Sequence, residues 1–149
     1  MTSETMELLK RLTFDIMQEM CFLFRSDTPD SPEVSGENTL VRVDCGKTYQ
    51  IYLRFDSRLA ETIAQNLLGA EAEAVDDTLR RSALTEIANM VGGNFINQMA
   101  LDISTKVSIP RIVEKDWNDQ EFDTPARIST EWLYIDKRPL QLAIVEQAG

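Results

Sequence analysis

A single α+β domain over residues 1–149, an antiparallel-rich β-sheet packed by helices, is the fold class this sequence predicts. Three observations predict it. Apolar residues recur at helical spacing in 5–25, 57–68 and 76–101, and they alternate with polar residues in 41–54 and 107–144. The two patterns come in blocks, helix, hairpin, two helices, three strands, whereas a parallel sheet would interleave them. The chain has 149 residues, a length that suits one hydrophobic core.

The first helix is expected over 5–25, where Met6, Leu9, Leu12, Ile16, Met20 and Leu23 form one stripe. Two prolines, a glycine and many turn formers make 26–37 a surface loop. Val41, Val43 and Cys45 then alternate with Arg42 and Asp44, and Tyr49, Ile51 and Leu53 alternate with Gln50, Tyr52 and Arg54. Cys45-Gly46-Lys47 supplies a turn between them, so the pair reads as a β-hairpin. Asp56 or Ser57 is placed to cap a short helix over 57–68 that ends at Gly69, with Leu59, Ile63 and Leu67 on its apolar face. After a polar linker at Glu71–Ala74, Asp76 and Asp77 can cap a long helix running to about Leu101. The last third reads as strands. Val107, Ile109, Arg111 and Val113 share a face, and Pro110 among them marks an edge or a bulge. A polar loop follows over 114–125. Ile128, Trp132 and Tyr134 alternate with polar neighbours, Asp136-Lys137-Arg138-Pro139 turns the chain, and Leu140, Leu142 and Ile144 form the closing strand.

Composition narrows the chemistry. The sequence has no histidine, which removes His-based acid/base work and Ser-His or Cys-His nucleophile pairs. Cys21 and Cys45 lack metal-ligand spacing and read as small buried side chains. Fifteen basic residues against 25 acidic ones leave a net charge of −10 and no basic stripe for nucleic acid. The apolar runs are too short to span a bilayer, and the acidic first residues are unlike a secretory signal. The expected location is the cytoplasm.

The helix that carries chemistry contains Ser82-Ala83-Leu84-Thr85-Glu86-Ile87-Ala88-Asn89-Met90-Val91-Gly92-Gly93-Asn94-Phe95. At ~100° per residue, Ala83, Ile87, Met90, Val91, Asn94 and Gln98 fall on one side, with Leu84 and Phe95 at its margin. Ser82, Glu86, Asn89 and Gly93 cluster on the opposite side. Glu86 and Asn89 stand at i, i+3, so a carboxylate and an amide project together from a rigid element. Gly93, one turn on, leaves a flat approach for another molecule. Two adjacent glycines each cost about 1 kcal/mol in a helix interior, which asks for compensation by close packing or function.

This stretch resembles the signature helix of the CheC/CheX/FliY phosphatases. The family pattern is Ser or Asp, then Glu, then Asn, then a more distant proline, matched here by Ser82, Glu86, Asn89 and Pro110. The resemblance extends over nearly the whole chain, and the chain length with one intact motif is closest to the CheX type. It implies a CheC-like fold and a phosphorylated CheY-like response regulator as partner. By resemblance, Glu86 pairs with the receiver's lysine beside its phospho-aspartate and Asn89 orients a water for in-line attack, with Ser82 and Gly93 bordering the contact. The implied protein needs no cofactor of its own, because the receiver brings Mg²⁺. Phosphoryl transfer asks chiefly for positioning and charge neutralisation, so a lack of histidine is no obstacle.

CheC-type members repeat the motif in their first helix. The matching positions here are Asp15, Glu19 and Phe22, and phenylalanine cannot orient a water, so no catalysis is expected there. The resemblance further implies a homodimer formed by joining sheets. Trp117 and Trp132 are candidates for that interface, with core or loop packing the expectation for Trp132. Two other functions compete with the enzyme: a binding module that docks a receiver without hydrolysis, and a flagellar-switch component.

Overall fold

The structure is a computed structural model that describes residues 3–26, 37–99, 105–120, 122 and 125–147. Helix α1 spans Ser3–Cys21, strands β1 and β2 span Asn38–Cys45 and Tyr49–Asp56, and helices α2 and α3 span Ser57–Leu68 and Asp77–Gln98. Strands β3, β4 and β5 follow at Arg111–Val113, Ala126–Ile135 and Arg138–Gln147. The α+β prediction holds, with a five-stranded sheet in the order β3-β1-β2-β5-β4. All neighbouring strands pair antiparallel.

Local chemistry sets most boundaries. The Asp56 carboxylate accepts the Arg58 and Leu59 amides at 3.0 and 3.2 Å, capping α2, and Gly69 ends that helix at φ 67°. Asp76 caps α3 through the Leu79 amide at 2.8 Å. The first helix is shorter than its apolar stripe predicts. It stops at Cys21, because Phe22 takes φ 56° and the Leu23 amide turns back to the Met17 carbonyl at 3.1 Å. A non-glycine residue in that region is rarely signalled by sequence. Leu101 and most of the 26–37 loop lie outside the described residues.

One face of the sheet carries the helices and the main core, built on Val41, Val43, Ile51, Leu53, Phe55, Leu140, Leu142 and Ile144. The other face has a smaller cluster of Leu40, Tyr52, Trp117, Ala143 and Val145. Trp117 comes from a 3-10 turn inside the loop predicted to be polar. It is buried and meets Tyr52 edge-on at 5.5 Å. Trp132 is instead exposed, at 38%, on the outer strand β4, which corrects the expectation of core or loop packing. Its direct partner across the pairing is the polar Gln141.

The two long hairpins are related by an approximate two-fold axis between β2 and β5. Each follows a long helix, α1 before β1-β2 and α3 before β4-β5. The chain after each helix then borders the hairpin of the other half. After α1, the Ser26 amide donates to the Tyr134 carbonyl at 2.9 Å and the Asp136 amide to the Phe24 carbonyl at 3.0 Å. After α3, the Ser108 amide donates to Asp44 at 2.8 Å and the Gly46 amide to Lys106 at 3.1 Å. Both serine hydroxyls also accept a backbone amide, Ser26 from Lys137 at 2.6 Å and Ser108 from Asp44 at 2.8 Å. Gly46 and Asp136 occupy equivalent turn positions and both have positive φ.

Candidate functional site

Helix α3 is held on three sides, by α1, α2 and β1. Its buried residues are Ala83, Leu84, Ile87, Ala88, Val91, Gly92 and Phe95. This arc is rotated from the predicted one. Leu84 and Phe95, placed at the margin, are fully buried, whereas Asn94 is exposed and its amide donates to the Met90 carbonyl at 2.8 Å. The shift follows from packing against two helices as well as the sheet, which a wheel centred on one neighbour does not anticipate.

The two glycines have different causes. A Cβ on Gly92 would lie 2.6 Å from Val107 Cγ2 and 3.1 Å from Val43 Cγ2, so the helix approaches the sheet edge closely there. A Cβ on Gly93 would meet nothing within 4 Å. Gly92 is therefore a packing residue, and Gly93 leaves the outer face open.

Ser82, Glu86 and Asn89 are exposed and Gly93 is half-buried, so the predicted outward face is present. Among the described residues no hydrogen bond or ion pair engages the Glu86 carboxylate or the Asn89 amide. Both groups are free to meet a partner. They line a shallow depression of about 320 Å³ with Thr85, Val107, Ser108, Ile109 and Pro110. The structure thus brings Glu86, Asn89 and Pro110 together. Ser82 and Gly93 lie on the same helix face but do not line the depression.

The far wall comes from the edge of the sheet. Val107 bridges to Cys45, and Arg111 pairs with Arg42. Three residues, Ser108, Ile109 and Pro110, therefore oppose Val43 and Asp44, which makes a β-bulge. The predicted shared face of Val107, Ile109, Arg111 and Val113 is broken by it. Val107 packs towards the helices and Val113 joins the cluster on the other side. Ile109 is the residue that sequence reasoning missed. It is 88% exposed beside Asn89, and the adjoining Pro110 was the available signal of a bulge.

A larger depression of about 450 Å³ lies at the N-terminal end of α3, away from Glu86 and Asn89. Arg54, Arg58, Arg80 and Arg81 line it with Glu37, Glu61, Asp77 and Glu114, so its charges balance. Asp77 engages Arg81 at 2.9 Å and Arg80 at 3.9 Å.

The two-fold relation also locates the counterpart of the site on α1. Lys10, Arg11 and Phe14 stand against Arg25 as Thr85, Glu86 and Asn89 stand against Val107. The Arg25 guanidinium lies 5.0 Å over the Phe14 ring. Phe22, matched by sequence spacing to Asn89, is instead beyond the helix end and 71% exposed. A carboxylate-amide pair is absent from both sets of residues, Arg11/Phe14 and Glu19/Phe22.

Comparison with known proteins agrees with this fold. The family described as Chemotaxis phosphatase CheX matches residues 41–122. Direct comparison with curated proteins gave no match. Among solved structures, the chemotaxis protein CheX from Vibrio vulnificus is similar at a TM-score of 0.69 and 20% identity, over 95% of each chain. A CheC-like superfamily protein from Shewanella sp. PV-4 is similar at 0.68 and 14% identity, over 99% of this chain and 100% of the other. CheX in a CheX–CheY–BeF3–Mg²⁺ complex from Borrelia burgdorferi is similar at 0.67 and 17% identity, over 96% and 98% of the two chains. At these identities the likeness is one of fold. No helix among the described residues is long and apolar enough to cross a membrane.

Proposed function

The chain belongs to the chemotaxis phosphatase CheX family, and we propose that it dephosphorylates the phospho-aspartate of a CheY-like response regulator through Glu86 and Asn89. The observation that carries this reading is the pair itself. A carboxylate and an amide stand exposed and unengaged on one rigid helix, beside a depression open to a second protein. The similar fold seen with CheY in the Borrelia burgdorferi complex supports the choice of partner.

In the proposed reaction a water attacks phosphorus in line. The bond from phosphorus to the aspartyl oxygen breaks, and the receiver's carboxylate leaves as inorganic phosphate forms. The Asn89 amide can accept from that water through Oδ1 and donate through Nδ2, which fixes its orientation. Glu86 offers a negative charge to the receiver's lysine and registers the two proteins. Ser82 and Gly93 border the contact, where a small side chain and a bare backbone allow close approach. Mg²⁺ belongs to the receiver in this scheme and neutralises phosphoryl charge when bound there.

The test is the decay of a phosphorylated CheY-like receiver with and without this protein. Asn89→Ala is expected to lower the rate by about a hundredfold, and Glu86→Ala to act mainly on affinity. A wild-type protein that binds receivers without speeding decay would instead support the non-catalytic binding module.

A further inference from the structure

Ile109 is the most exposed of the large apolar side chains among the described residues, at 88%. A lone exposed isoleucine is ordinary. This one is placed by specific backbone chemistry. The Ser108 amide and hydroxyl both bond to Asp44, at 2.8 Å each, on one side of it. Val107 is wedged against Gly92, and Pro110 restricts the chain on the other side. The bulge aims Ile109 outwards at the rim of the depression that holds Glu86 and Asn89. Among the described residues, Glu86 is the one charged side chain lining that depression. The rest of its wall is apolar or neutral, so ionic contact alone offers little area for docking.

We propose that Ile109 is the apolar anchor by which the phosphorylated receiver docks, seated in an apolar recess next to the receiver's phospho-aspartate. This rests on the receiver-phosphatase reading above. The backbone at Ile109 is already held by the Ser108–Asp44 bonds and by Pro110, so little backbone freedom is lost when the side chain is buried. It sets affinity and choice of receiver, while Asn89 and Glu86 carry the chemistry and the register.

The experiment compares Ile109→Ala and Ile109→Glu with the wild type. The side chain makes few contacts in its own protein, so both variants are expected to melt with the wild type. Two quantities are measured: turnover of phosphorylated receiver, and binding to the same receiver loaded with beryllofluoride and Mg²⁺. Ile109→Glu is expected to raise KM and Kd by about tenfold or more, and Ile109→Ala by about threefold, with the saturating rate near wild type. Unchanged KM and Kd in both variants overturn the proposal. So does a fall in kcat at constant KM, which makes Ile109 part of the chemical step. Loss of self-association in Ile109→Glu with normal receiver binding also overturns it, since the occupant is then a second copy of this chain. If the wild type binds the receiver without hydrolysis and Ile109→Glu binds weakly, docking stands and the phosphatase reading falls. If the wild type binds no receiver, both fall.

Discussion

Adjacent glycines in α3 allow a controlled test of the contact between helix and sheet edge. Replacing glycine by alanine in a helix interior gains about 1 kcal/mol from propensity, and the gain applies equally at both positions. At Gly93 the added methyl meets nothing within 4 Å, so the full gain is expected. For a chain of this size that is a rise in Tm of about 2–4 °C. At Gly92 the methyl lies 2.6 Å from Val107 Cγ2, with the two Val43 methyls at 3.1 and 3.4 Å. Valine is stiff at χ1, and Val107 is tied by its bridge to Cys45, so relief requires backbone movement. Such overpacking costs about 1–3 kcal/mol. Propensity cancels between the variants, so Gly92→Ala is expected to be less stable than Gly93→Ala by about 1–3 kcal/mol. Urea denaturation of the two proteins measures the difference directly. Equal stabilisation of both would refute the reasoning, because it would mean that Val107 and the bulge are not held against the helix.

Removing the Asp56 carboxylate, which is fully buried, caps α2 and binds Arg138 at 2.8 and 2.5 Å, is expected to cost about 3 kcal/mol in Asp56→Ala. A loss below about 1 kcal/mol in urea denaturation would show that the cap and pair are dispensable. Burial pushes the Cys45 thiol up to about 12 and the Cys21 thiol up to about 11, from an ordinary 9.0. Between those values and 9.0 the unfolded chain has lost thiol protons that the folded chain keeps. Stability therefore falls as pH rises through that window, and chevron or urea midpoints at pH 8 and pH 10 should show it. In the same window both thiols should resist a disulfide reagent until the protein unfolds.

What the sequence made legible was what short-range chemistry decides. The hairpin turn at Gly46, the caps at Asp56 and Asp76 and the stop at Gly69 each depend on a few neighbouring residues. Glu86 and Asn89 were readable for the same reason, since i, i+3 spacing on a helix fixes their adjacency. Pro110 joined them through a motif rather than through geometry. Features set by distant pairing were not readable. The bulge at Ile109 exists only because Val107 and Arg111 pair with Cys45 and Arg42. Trp117 looked like part of a polar loop because its partner, Tyr52, is far off in sequence. The counterpart site on α1 was misplaced to Glu19 and Phe22 by counting residues, where the two-fold packing selects Arg11 and Phe14.

The interior position of β5 bears on how the chain is made. Strand β2 pairs with β1 on one side and with β5 on the other, yet β5 emerges from the ribosome after every other strand of the sheet. Until it arrives, β2 presents an unpaired inner edge of apolar residues, Ile51, Leu53 and Phe55 among them. A stalled or truncated nascent chain thus carries an open template for strand addition, the kind of surface that aggregates and that holding chaperones cover. Emergence of β5 is the event that completes the sheet and covers this edge of β2.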